Sequence, residues 1–413
     1  MNGGGMAARL RRFRIWGVRG IWRAALRLSH DRAVRRFLKD NAASFPCDNP
    51  QRGITIVAHM SGSYSLSKTM RDFVIRLRDA GIPHQVFDCG KPDPDLAKET
   101  YAHLLTPRGE FRLLRYTHVV EMVNSPLPGG LPVRRCRIVF WEGDGGLLDV
   151  YPYVADSDVV IAMSDFNAQC FRKALPESVA VAKVVYPMMP IPGGGRPRDE
   201  VRRSLGLLEK DFVFLFNFDL VAYSRKNPDG LLRAFAMAFP DATDARLVLK
   251  TNHAREYAGR LAGLRGLADE LGMGGRVVFV NDYMPSSELY ALAAACDAYV
   301  SLHRGEGFGL GIAEAMQLGK PVVTTAYSAP LEFCNEETAL LVPFTMRQLN
   351  DGSMVSRMGP CADADVAAAA DAMRRLYDDR AFAAALGSRA RRFMERHFSG
   401  EAFKASVDAL LDL

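Results

Sequence analysis

Between Tyr299 and Thr325 the chain reads YVSLHRGEGFGLGIAEAMQLGKPVVTT, and few folds accommodate such a stretch. An apolar run, Tyr299 to Leu302, breaks into the glycine-rich loop Gly305-Glu306-Gly307-Phe308-Gly309. From about Leu310, the spacing of Ile312, Ala313, Met316 and Gln317 predicts a half-buried helix. Gly319-Lys320-Pro321 stops that helix, and Val322 and Val323 begin another strand. Strand, glycine loop, helix and strand in succession is the unit of a parallel α/β sheet.

Backbone amides at a helix N-terminus converge on an anion, and glycines let that anion come close. The dinucleotide fingerprint G-x-G-x-x-G fails here, because its last position falls on Leu310 or Ile312. The P-loop also fails: Gly319-Lys320 is followed by Pro321 and preceded by Glu314 where a glycine is needed. What remains is a pair of carboxylates, Glu306 in the loop and Glu314 on the helix, bracketing the amides.

This E-x7-E, within E-G-F-G-L and flanked by A-C-D-A-Y-V and L-G-K-P-V-V, resembles the GT-B glycosyltransferases, in particular retaining family 4. The resemblance implies an α/β protein of two Rossmann-like domains with parallel sheets facing a central cleft. A C-terminal helix should return to the first domain. It further implies that Glu314 binds the ribose, that Glu306 faces the sugar hydroxyls, and that the amides of Gly307, Phe308, Gly309 and Leu310 hold the diphosphate. The chemistry suits the residues, since an ionised carboxylate only accepts and can take two O–H bonds from a vicinal diol.

At 413 residues the chain has the length for two domains and two cores. Its seven cysteines are scattered without a C-x-x-C pair, which argues against a zinc site or a disulfide frame. The net charge of +6 is local: residues 1–40 hold ten Arg and Lys39 against two Asp, +9, leaving −3 for the rest. A nucleic-acid-binding core is therefore not implied, and no nucleic-acid partner is expected. Within residues 9–39, Ile15, Val18, Ile21, Trp22, Ala25 and Leu26 gather on one side of a helical projection, with Arg12, Arg19, Arg23 and Arg27 opposite. Such a basic amphipathic helix fits the interface of an anionic membrane, in a peripheral and cytoplasmic setting, and equally a helix docked on the protein's own surface or a disordered arm. No run approaches the ~20 apolar residues that a membrane span requires.

The expected domains are a basic extension over 1–45, a first Rossmann-like domain over 46–190, a nucleotide-sugar domain over 191–390, and a returning helix over 391–413. Ile54 to Val57 reads as a buried strand, followed by the loop His59 to Ser65 and a helix with Leu66, Met70, Phe73, Val74 and Leu77 at helical spacing. Strand ends line ligand crevices in open α/β sheets, so Gly62, Ser63, Asn124, Trp141 and Glu142 are candidates for the acceptor side. His118 reads as an ordinary sheet histidine, and Asp156-Ser-Asp158 as a helix-to-strand junction instead of a metal site.

The run from Pro187 to Pro197 is the clearest linker. After it, Phe212 to Phe216 reads as a strand, Asn227 as an N-cap and Pro228 as a first helical residue. Arg225 and Lys226, just before that helix, are placed to meet phosphate. The resemblance implies an arginine farther upstream of the lysine, so here the partner must be Arg225 or another cation such as Lys250. Asn281 and Tyr283 lie in the turn where the resemblance implies the nucleotide base, and His303 sits beside the glycine loop. The helix from Ser286 is expected to bury Leu289, Leu292, Ala293 and Cys296.

Together these readings predict a retaining hexosyltransferase acting on a nucleotide-diphosphate sugar and a sugar or lipid-linked acceptor, in polysaccharide or glycolipid assembly. Glu306, Arg225 and Lys226 are its expected catalytic groups, and no metal or other cofactor is expected. The alternatives left open are a related phosphorylase or epimerase, a silent nucleotide-sugar binder, and a membrane adaptor built on the basic arm.

Overall fold

The computed structural model describes residues 49–413, apart from 63–64, 92, 94–95, 108, 123–130, 194, 282 and 354, together with a few positions between 29 and 39. Most of the amphipathic arm, and the candidates Ser63 and Asn124, lie outside the described residues. Among the described residues the chain divides into two compact units, one reaching to 141 and taking in 145–187 and 400–413, the other of 142–144 and 188–399.

The first unit is built on six strands: β1 (Gln51–Ala58), β2 (His84–Asp88), β3 (Tyr116–Met122), β4 (Arg134–Ile138), β5 (Val159–Ala162) and β6 (Ala180–Lys183). They pair in parallel in the order β2-β1-β3-β4-β5-β6. The last six residues of β1 are all buried, as a parallel strand covered on both faces requires. Helix Ser65–Asp79 turns Met70, Phe73, Val74 and Leu77 inward, while Leu66 is only half-buried. The last helix, Gly400–Leu411, packs against it through Phe403, whose ring meets Phe73 edge-on at 5.3 Å. Ser406 Oγ on that helix accepts the Val185 N–H at 3.1 Å, tying it to the end of β6.

Charge is also buried in this unit. Glu121, fully enclosed on β3, accepts from Arg135 at 2.5 Å and Arg137 at 2.6 Å on β4. His118 lies in the same strand, and burial first, then the charges of Arg134 and Arg52, push its imidazole down to about 4. It is a sheet histidine. Asp158 accepts the Arg135 N–H at 2.7 Å, so the Asp156-Ser-Asp158 stretch serves the entry to β5.

The second unit repeats the plan with β7 (Phe212–Asp219), β8 (Ala245–Asn252), β9 (Val277–Val280), β10 (Ala298–Ser301), β11 (Val322–Thr325) and β12 (Leu340–Val342). These are parallel in the order β12-β11-β10-β7-β8-β9, and a two-stranded antiparallel excursion, β13 (Phe344–Arg347) with β14 (Cys361–Ala364), follows. Helix Pro228–Ala238 buries Leu231 and Phe235. Helix Ser286–Ala295 buries Ala291, Leu292, Ala293 and Ala295, and Cys296 just after it is buried as expected, whereas Leu289 is only half-buried, because the helix buries its second half and opens with the exposed Ser286 and Ser287. Helix Arg380–His397 runs unbroken through 391 and stays with this unit, so the segment belonging to the first unit starts at Gly400.

Helix Arg380–His397 lies against the turn that ends helix Leu310–Gln317. A Cβ on Gly387 would sit 2.0 Å from the Gly319 carbonyl oxygen, backbone against backbone, with no flexible side chain to yield. Gly387→Ala should therefore lower stability by ~2–3 kcal/mol, at the upper end of overpacking costs, read as a shifted urea midpoint with unchanged slope.

Candidate active site

In the second sheet the strand order reverses between β7 and β10, since β8 and β9 lie to one side and β11 and β12 to the other. Loops leaving the carboxyl ends of these two strands define the crevice of an open α/β sheet. The loop after β7 carries Arg225 and Lys226, and the loop after β10 carries His303 to Gly309. The topology alone therefore brings the expected cations and the glycine loop together.

Four residues, Tyr223–Lys226, make one helical turn after β7. Asn227 then takes a left-handed φ of 53°, caps the next helix by accepting the Gly230 N–H at 3.3 Å, and donates to the Leu302 carbonyl at 3.0 Å. Those bonds lock the two loops to each other. Arg225 Nη1 donates to the Gly305 carbonyl at 3.0 Å and to Glu306 Oε2 at 2.9 Å, and Lys226 Nζ donates to Glu306 Oε1 at 2.5 Å. Both side chains are about a fifth exposed (19% each), whereas that of Glu306 is nearly enclosed (7%).

Burial works against the charge of Glu306, but Lys226 and Arg225 outweigh it and hold the carboxyl at about 2. Burial and the neighbouring Arg225 bring Lys226 below its ordinary value, although Glu306 opposes them. Arg225 moves the other way: burial pulls it down, and Glu306 and Glu142 together push it up. A carboxyl ordinarily near 4.5 that is held at about 2 stabilises the fold above pH 4.5, and that stability is lost as pH falls from 4.5 through 2. The size is on the order of 3 kcal/mol. Melting curves from pH 6 to pH 2.5 should accordingly fall more steeply for the natural chain than for Glu306→Gln.

The glycine loop is shaped by contact. A Cβ on Gly305 would lie 2.1 Å from the Glu142 carbonyl oxygen, and one on Gly311 would lie 2.5 Å from the Tyr299 hydroxyl. Gly309 adopts a φ of 91° immediately before helix Leu310–Gln317, whose first amides have no side-chain cap. Ser328, itself at a φ of 65°, accepts the Glu306 N–H at 2.9 Å. Glu314 is buried on the helix and accepts the Tyr290 hydroxyl at 3.1 Å. His303 is fully enclosed, neither ring nitrogen has a partner among the described residues, and burial lowers it to about 4, so it is neutral.

Phe308 turns its ring into an aromatic cluster, 5.2 Å from Phe333 and 5.7 Å from Phe398, which leaves untouched the expectation for its backbone amide. Several other expected positions need correcting. Trp141 is fully buried in the first unit and spends its indole N–H on the Gly145 carbonyl at 3.1 Å, so it anchors the core and cannot line an acceptor site. Glu142 belongs with the second unit, 3.8 Å from Arg225, and burial raises its carboxyl. Gly62 is buried, its carbonyl taken by Arg71 at 2.8 Å. Lys250 is buried within β8 and donates to the Thr251 carbonyl at 3.2 Å and to Asn252.

Asn281 accepts from Thr251 Oγ1 at 2.9 Å, and Tyr283 is 46% exposed in the turn after β9. Sequence reading missed Ser328, Tyr290 and Asn227's second bond. Each depends on a partner remote in the chain, and no local pattern announces it.

Residues 197–353 match the family model described as Glycosyl transferases group 1. D-inositol 3-phosphate glycosyltransferase of Corynebacterium glutamicum (strain R) is 32% identical over 153 residues, 37% of this chain and 36% of that protein. The chain thus spans little more than a third of the length of this curated relative. Among solved structures, sucrose-phosphate synthase of Thermosynechococcus elongatus superposes with a TM-score of 0.61 at 18% identity, covering 88% of this chain and 98% of that one. HepE of Anabaena, solved in complex with UDP and glucose, gives 0.57 at 15% identity, covering 88% and 100%. These likenesses bear out the expected GT-B fold, with two parallel six-stranded sheets and a C-terminal helix.

Proposed function

We propose that the chain transfers a hexose from a nucleotide-diphosphate sugar to a hydroxyl acceptor with retention of configuration. The observation that carries this reading is the cluster at the strand reversal. Arg225 and Lys226 converge on Glu306 at the mouth of a glycine loop that opens helix Leu310–Gln317. The match of residues 197–353 to group 1 glycosyltransferases, and the UDP and glucose held by the HepE structure, support it.

The physical problem of the reaction is charge. As the glycosidic bond breaks, negative charge grows on the diphosphate and positive charge on the sugar. Fixed loop amides with Arg225 and Lys226 stabilise the first, and a carboxylate already ionised at Glu306 positions the sugar. Glu314 is offered to the ribose, and the neutral imidazole of His303 supplies one donor and one acceptor beside them. A departing phosphate oxygen can take the acceptor proton, so the scheme needs neither a separate base nor a metal. Asn281, Tyr283 and Lys250 are the proposed surroundings of the nucleotide.

The acceptor we propose is a sugar or lipid-linked hydroxyl in cell-surface polysaccharide or glycolipid assembly, met at an anionic membrane surface through residues 9–39. No helix among the described residues is long and apolar enough to cross a membrane. The deciding experiment is a thermal-shift screen of nucleoside diphosphates and their sugars, followed by transfer assays with and without chelator. Binding of one nucleotide family and chelator-resistant transfer are expected. Absence of any nucleotide-induced shift would remove the reading.

A further inference from the structure

The β13–β14 excursion takes no part in the chemistry proposed above, yet it reaches the loop that carries the cations. Thr345 on β13 pairs with Asp363 on β14. Asp363 Oδ1 lies 3.0 Å from both Nε and Nη2 of Arg304, and its Oδ2 takes Arg347 Nη1 at 3.2 Å. The remaining arm of Arg304, Nη1, donates to the Ser224 carbonyl at 2.6 Å, and its backbone N–H donates to the Arg225 carbonyl at 2.7 Å. Its own carbonyl accepts the Ala362 N–H at 3.1 Å.

Met358 presses on Gly143, where an added Cβ would meet the Met358 carbonyl oxygen at 2.8 Å.

Helix Tyr223–Lys226 is too short to hold itself, because one turn fixes several dihedrals for a single hydrogen bond. That bond is Asn227 N–H to the Tyr223 carbonyl at 3.0 Å. At Asn227 the backbone swings to a φ of 53°, so no further turn supplies donors for the carbonyls of Ser224 and Arg225. Arg304 supplies both. Its guanidinium is spent on protein groups and does not need a ligand.

We infer that Arg304 and Asp363 are positioning residues that aim Arg225 and Lys226 at Glu306 by clamping the turn that carries them. The inference deepens the proposed function and, in its catalytic arm, rests on it. Asp363 fixes the guanidinium plane, Arg304 fixes the turn, and the turn fixes the two cations. A displacement of about 1 Å in such groups is enough to lower turnover about a hundredfold.

The test uses the full chain with Asp363→Asn and Arg304→Lys, and with Asp363→Glu as the conservative control. Hydrogen exchange at the Asn227 amide reports the clamp without reference to activity. It should quicken at least tenfold in Asp363→Asn and Arg304→Lys. With whichever sugar nucleotide the natural chain accepts, kcat should fall roughly 10- to 100-fold, the donor KM should change less than threefold, and Asp363→Glu should recover most of the loss. If Asp363→Asn fails to fold, Arg304→Lys carries the same test, because one ammonium cannot hold Asp363 in a fork and reach Ser224 at once. Unchanged exchange at Asn227, or transfer as fast as in the natural chain, overturns the inference. If the natural chain transfers no sugar, the proposed function fails while the exchange arm still decides the clamp.

Discussion

Glu306→Gln is expected to lower sugar transfer at least a few hundredfold while tightening, not weakening, the binding of nucleoside diphosphate. The two effects separate because the carboxylate has two roles in the structure. Its oxygens hold Arg225 at 2.9 Å and Lys226 at 2.5 Å. An incoming diphosphate must share those cations with Glu306 and approach a charge of its own sign. At ~6 Å and an effective dielectric of ~20, that repulsion costs about 3 kcal/mol before solvent screening. The neutral amide removes it, and its NH2 group cannot accept from a cation. Calorimetric titration should therefore show a Kd for nucleoside diphosphate lowered about tenfold. Transfer falls because the sugar loses the ionised acceptor held at about 2 and the cations lose their alignment. Weaker nucleotide binding in this variant would mean that Glu306 touches the nucleotide itself. Undiminished transfer would remove its assigned part in the reaction.

How far this site could be read from sequence follows from the distance over which each piece is determined. The strand, glycine loop and helix around Gly305–Gly309 are local, and they appear in the structure nearly as read. Asn227 and Pro228 are local too, and the N-cap stands where the residue types put it. The meeting of Lys226 with Glu306 joins positions 80 apart, and Ser328 reaches Glu306 across 22. Nothing in either neighbourhood states those pairings; the strand order supplies them. Trp141 misled for a different reason. An aromatic at a strand end can serve ligand or core, and burial, which no sequence window contains, decided for the core. Glu142 follows a first-sheet strand in the chain, yet its carbonyl rests where Gly305 has no Cβ, and so it joins the second unit.

Lys226→Ala should cost about 10²–10³ in kcat, the scale of losing one preorganised donor to developing charge. Of the two cations it is the one free to follow the leaving group. Arg225 is moored at the Gly305 carbonyl at 3.0 Å and beside Glu142 at 3.8 Å as well as at Glu306. The ammonium of Lys226 meets Glu306 alone among the partners described. A point charge on a flexible stem can turn from that carboxylate to a phosphate oxygen with little rearrangement, whereas the guanidinium would have to leave three neighbours. Ground-state affinity should change less than tenfold, because Arg225 and the loop amides remain. The variant also carries an internal check. Lys226 is the largest single influence holding the Glu306 carboxyl below its ordinary 4.5, so its removal lets that carboxyl climb back toward 4.5. The residual activity of Lys226→Ala should then fall away on the acid side at a higher pH than that of the natural chain, whose Glu306 stays ionised down to about 2. Rates measured from pH 3.5 to 8 for both chains would show the displaced acid limb. Coincident profiles would mean that Glu306 is not the carboxylate on which turnover depends.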